Sequence, residues 1–97
     1  MRLRLAPRAL SEAKRKKTWW QKNRPASPDL FEDEFNATVR SIQATPTVGA
    51  VYPSSFDVVI RRVLMTRTKN HVYFTVTDAE VVILSVWGAA RGRGPKL

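Results

Sequence analysis

The chain has 97 residues, a length at which one domain is expected, and 43% of them are apolar, too many for wholesale disorder. It has no cysteine, which excludes a disulfide framework, a thiolate nucleophile and a thiolate metal site, and fits a reducing cytoplasm. The formal net charge of +9 is unevenly spread: nine basic residues stand against one acid over residues 1–24, one against four over 25–45, and seven against three over 46–97.

Such a chain is drawn to polyanions, whether nucleic acid, a nucleoprotein machine or an acidic protein. Its longest apolar stretch, Val81 to Leu84, is far short of the roughly 20 residues a membrane-spanning helix needs. The start, Met1-Arg-Leu-Arg-Leu-Ala-Pro7, lacks the apolar centre of a secretory signal. The expected setting is the cytoplasm, with no membrane partner.

Arg2-Leu-Arg-Leu5 alternates with period two and predicts a short strand. Pro7 ends it and suits the first turn of a helix, expected from Arg8 to about Lys22. Ala9, Leu10, Ala13 and Trp20 fall on one side of that helix, and Lys14, Arg15, Lys16 and Lys17 wrap the rest. Trp19 and Trp20 diverge by roughly 100°, so one enters the core and the other covers a shoulder or stays exposed. Base stacking on them is disfavoured, because no platform of alternating strand aromatics accompanies them.

Pro25 and Pro28 interrupt the chain, and Ser27 offers an N-cap for a second helix from Pro28 to about Ala44. Phe31, Phe35, Thr38, Val39 and Ile42 form its buried stripe, and its acidic first turn attracts the basic first helix. The short connector implies an antiparallel helical hairpin. Residues 45–53 read as a turn-rich crossover. Three strands follow, at Asp57 to Met65, His71 to Thr77 and Val81 to Trp87, joined by loops short enough for antiparallel hairpins. The expected fold is α+β: a helical hairpin on one face of a small, mainly antiparallel sheet, in the order β-α-α-β-β-β. Residues 1–97 form one domain on this reading, with 88–97 a basic, glycine-rich tail.

Several strings in this order resemble the RelE/ParE superfamily, the toxins of type II toxin–antitoxin pairs. They are Trp19-Trp-Gln-Lys-Asn-Arg-Pro25, the Pro46-to-Gly49 spacing, Ile60-Arg-Arg-Val-Leu64, His71-Val-Tyr-Phe-Thr-Val76, and Val82-Ile-Leu-Ser-Val-Trp-Gly88 leading into Arg91-Gly-Arg-Gly-Pro95. The resemblance implies a toxin neutralised by a cognate antitoxin. ParE-like members poison DNA gyrase; RelE-like members cut messenger RNA in the ribosome, so fold alone does not separate the functions.

RNA cleavage needs a proton acceptor or donor and cations aimed at the phosphoryl oxygens. The family's cleaving members place clustered Lys and Arg on the meander and often a late Tyr or His. Arg61, Arg62, His71 and Arg91 are the residues for that chemistry here, with Arg67 and Lys69 beside them, but no Tyr or His follows Tyr73. The departure favours the ParE branch, in which no residue is catalytic and Arg61, Arg62, Tyr73, Trp87, Arg91, Arg93 and Lys96 contact antitoxin or target. Arg61 and Arg62, as strand neighbours, point to opposite faces; the bland alternative is a solvated edge or an ion pair with Asp57, Asp78 or Glu80. Trp87 reads first as core or a lid over the sheet edge, with partner contact as the lesser reading, and Tyr73 and Trp87 or their neighbours are candidates for exposure on the sheet face the helices leave open. The tail is either a frayed end or a target-facing segment. A non-toxic basic binding module is the remaining reading.

No cofactor is implied: one histidine and no cysteine cannot build a zinc site, and no glycine loop cradles a phosphate ahead of a helix.

Overall fold

The computed structural model describes residues 1–54 and 57–97, the side chain of Arg91 excepted. Strand β1 (Arg2–Leu5) leads into α1 (Pro7–Asn23), α2 (Leu30–Ala44), a short β2 (Ala50–Tyr52) and a meander of β3 (Ile60–Met65), β4 (Asn70–Val76) and β5 (Glu80–Gly88). The sheet order is β1-β5-β4-β3-β2, antiparallel except that β1 runs parallel to β5, with Arg2 opposite Glu80 and Leu5 opposite Ile83. Both helices pack on one face. Phe31, Phe35, Val39 and Ile42 of α2 meet Ala9 and Ala13 of α1 over Met65, Val72, Phe74, Val81, Ile83 and Val86. The α+β architecture is the one expected from the sequence.

Two helical details differ. Helix α2 begins at Leu30 rather than Pro28, because the Leu30 amide bonds back to the Ser27 carbonyl at 3.3 Å and residues 25–29 form turns. Leu10 is 45% exposed. The face of α1 that meets β5 runs through Ala9, Glu12 and Ala13, and small side chains there let the helix approach the sheet closely. Leu10 lies one position off that face, in a shallow groove with Phe31 and Phe35. The expected attraction between the helices takes the form of a 2.8 Å pair between Lys17 and Glu32, exposed and worth little.

Glu12 was not legible as a core residue. It is 7% exposed, and its Oε1 accepts the Ser85 hydroxyl at 2.8 Å and the Val86 amide at 3.0 Å, while Arg8 Nε donates to Oε2 at 3.3 Å. A register irregularity lies here: Tyr73 opposes Ser85 and Phe74 opposes Ile83, so Leu84 is the extra residue of a bulge. Strand β5 also runs past the end of β1 at this point, and the carboxylate takes the amide that follows. A second carboxylate fixes the β3–β4 loop. Glu34 of α2 accepts the Arg67 amide at 2.8 Å and, from Thr68, the amide at 2.9 Å and the hydroxyl at 2.7 Å.

These contacts carry two predictions. Glu12→Ala leaves two buried donors unpaired, at a cost of about 1–3 kcal/mol each, and Glu12→Gln loses less. Urea unfolding reads both, and an unchanged midpoint for the alanine variant would refute the role given to the carboxylate. For Glu34, partial burial pushes the carboxyl up, but the Thr68 hydroxyl, the two amides and the Arg67 charge together hold it below its ordinary 4.5. Its contribution is therefore complete above that value and is lost as pH falls through the lowered one. Urea midpoints taken from about pH 6 to about pH 3 fall less steeply in Glu34→Gln than in the parent chain.

Candidate functional site on the outer sheet face

Alternation along β3 and β4 sends Met65, Val63, Phe74 and Val72 toward the helices, and Arg62, Leu64, Tyr73 and His71 to the other face. Arg61 and Arg62 part company as expected. Arg61 lies at the helix-side rim, in a depression with Val59, Phe74 and Val76. Arg62 is on the outer face, its guanidinium 5.6 Å from the Tyr52 ring centre and opposite Tyr73 in register. Neither arginine has an ion-pair partner among the described residues; Glu80, one of the acids considered for them, pairs with Arg4 instead at 3.1 Å.

Tyr73 departs from expectation. It is 1% exposed, covered by Tyr52 at 4.7 Å between ring centres and flanked edgewise by His71 at 6.0 Å. It is therefore a floor beneath the outer face and not a contact surface. Tyr52 belongs to β2, which the sequence hid: three residues between Gly49 and Pro53 carry too little periodicity to register as a strand.

The C-terminal segment provides the rest of the cover. A 3-10 turn at Ala89–Arg91 ends in the left-handed Gly92, and the chain then turns back over the sheet. The Trp87 indole N–H donates to the Arg93 carbonyl at 2.8 Å, the Tyr52 hydroxyl to the Pro95 carbonyl at 2.9 Å, and Arg8 to the Lys96 carbonyl at 3.0 Å. Pro95 is buried, and a Cβ at Gly94 would run into the Tyr52 ring. The segment is a strap held by β5, β2 and α1, and not a frayed end. Its carbonyls face the protein, whereas Arg93 and Lys96 are exposed. Trp87 is half-buried, with Arg8 5.5 Å from its ring centre, which fits the lid reading. The side chain of Arg91 lies outside the described residues.

Arg62, His71, Trp87 and Arg93 thus share the outer face, while Arg61 is excluded from it and Tyr73 lies beneath it. No group of His, Asp and Glu able to hold a metal ion occurs among the described residues, and no helix there is long and apolar enough to cross a membrane.

Burial, and to a smaller degree the Arg62 charge, push the His71 imidazole below its ordinary 6.5. The neutral ring is the folded form at neutral pH, and stability is lost as pH falls from 6.5 through the lowered value. An NMR titration of the ring has its midpoint below 6.5; Arg62→Ala raises that midpoint without restoring it, since burial is the larger cause.

No family model matches the sequence, and no curated protein matches it. Solved structures do. The chromosomal ParDE toxin–antitoxin system from P. aeruginosa superposes with a TM-score of 0.74 at 19% identity, over 91% of this chain and 95% of that one. The E. coli RelE toxin gives 0.59 at 17% identity, over 93% and 85%. A YoeB/ParE toxin from Agrobacterium tumefaciens gives 0.58 at 14% identity, over 91% and 98%. Together with the strand order, these likenesses identify the fold of this chain as that of the RelE/ParE toxins.

Proposed function

We propose that the chain is the toxin of a type II toxin–antitoxin pair, that it inhibits DNA gyrase, and that a cognate antitoxin neutralises it. The observation that carries the gyrase reading is the strap. An RNA-cleaving centre needs open cations and a free proton-transfer group on the outer face. Here residues 93–96 cross that face, the Tyr52 hydroxyl is bonded to Pro95, and Tyr73 is buried. What remains outward, Arg62, His71, Trp87, Arg93 and Lys96, suits contact with a partner's carboxylates and apolar groups. The higher structural similarity to the ParDE system than to RelE supports the same branch. For the antitoxin, the exposed apolar residues Val51, Val59 and Val76 near Arg61 offer a rim for a segment with apolar anchors and acids.

A second reading rests on one observation: a neutral His71 beside the Arg62 charge is the pairing a ribosome-dependent endoribonuclease would use on messenger RNA.

Supercoiling of relaxed plasmid by gyrase, titrated with the purified chain, separates the two. Inhibition with trapped, cleaved DNA is the expected result, relieved by the antitoxin and weakened by Arg62→Ala. Unaffected supercoiling by folded protein that cuts ribosome-bound mRNA, with cleavage lost in His71→Ala, would establish the second reading instead.

A further inference from the structure

A cleft of about 580 Å³ opens on the side of the molecule where the C-terminal half of α1 meets the β3–β4 loop and the end of β5. Trp19, Trp20 and Trp87 line it together with Arg15, Arg24 and Lys69. Trp87 lies more than sixty positions from the adjacent Trp19 and Trp20, and the fold brings the end of β5 to the edge of their cleft. Trp19 is 47% exposed, the Trp19 and Trp20 rings meet edge to face at 5.8 Å, and the Arg24 guanidinium lies 5.0 Å from the first ring centre and 5.9 Å from the second.

The charge of the cleft is one-sided. The acid that lines it, Glu12, is 7% exposed and already bonded to Ser85, Val86 and Arg8. Among the described residues no carboxylate pairs with Arg15, Arg24 or Lys69: Arg15 donates to the Ser11 hydroxyl and Arg24 to the Asn23 carbonyl. Lys69 stands at φ 61°, a left-handed conformation that lysine adopts at a cost. It is held there at both backbone groups, its amide on the Met65 carbonyl and its carbonyl on the Ala89 amide, each at 2.9 Å. Glu34 anchors the two preceding residues. A cation kept at a strained position on a loop tied down from three elements is a pre-set wall of the cleft.

We infer that this cleft binds single-stranded nucleic acid, with bases stacking on Trp19 and the Arg24 plane and phosphates meeting Arg15 and Lys69. An exposed indole with a guanidinium beside it, flanked by cations that no described carboxylate pairs, has the chemistry of that ligand: a π-face for a base and charges for the phosphates. The volume is that of a ligand pocket, suited to a short run of unpaired nucleotides and not to a duplex. An acidic peptide would satisfy the cations but leave the stacking surfaces without a counterpart. The inference is independent of the gyrase reading, because its test contains neither gyrase nor ribosome nor antitoxin.

The test is fluorescence anisotropy of labelled single-stranded DNA and RNA oligonucleotides with the full chain, read alongside tryptophan quenching and salt dependence. Both oligonucleotides are expected to bind and to quench, and a preference between them identifies the source of the strand. Trp19→Ala lowers affinity about tenfold, as loss of one stacked base does. Lys69→Gly keeps the fold, because glycine takes that backbone angle without strain, yet weakens binding and reduces the salt slope by about one. Lys14→Ala, which removes the same charge outside the cleft, changes affinity little. Equal losses for Lys14→Ala and Lys69→Gly would reduce the interaction to net charge and overturn the inference. So would duplex DNA binding as tightly as the single strands, or a polyglutamate peptide displacing them at matched charge.

Discussion

Glu12 is a charge placed between a helix and a sheet, where an unpaired carboxylate would be intolerable. It persists because three donors from two directions converge on it. That convergence joins the start of the fold to its end. Helix α1 is locked over β5 beyond the reach of β1, and the same region of β5 carries the bulge at Leu84 and then Trp87. The strap and the cleft both depend on where Trp87 stands, so the placement of one glutamate propagates to the two surfaces with functional chemistry.

Much of the framework could be read directly. The period of α2 identifies its buried residues, since Phe31, Phe35, Val39 and Ile42 form one stripe and tertiary packing uses that stripe unchanged. The meander strands are β-branched and bounded by short polar loops, which leaves little room for another assignment. What stayed hidden has a common cause: it depends on which segment covers which face, and periodicity is silent on that. Tyr73 alternates as an outward residue and does point outward, but Tyr52 bury it from the far edge of the sheet. Glu12 looks like one more solvated charge on a basic helix. The available hint was position: it is the sole acid in the first 24 residues and sits between Ala9 and Ala13 on the small-residue face. Leu10 was misplaced for the same reason in reverse, a large apolar residue one step from the face that packs.

The two surfaces divide the chemistry of the chain. On the outer face, backbone carbonyls of the last residues are held down by Trp87, Tyr52 and Arg8, so the cations there project from a fixed ribbon. On the helix side, cations and indoles line a recess with a rigid lysine at its rim. Residue 87 borders both: the Trp87 indole donates its N–H to the strap on the outer face, and the end of β5 on which it stands edges the cleft.

The parallel pairing of β1 with β5 has a bearing on how the molecule is made. The two strands are neighbours in space and remote in sequence, so the helical hairpin between them can form early while β1 has nothing to pair with. A copy whose synthesis stops before residue 80 lacks the partner of its first strand, the acceptors' donors at Ser85 and Val86, and the strap that completes the outer face. Translation must pass residue 88 before the cleft is closed and run on to residue 96 before the strap is in place.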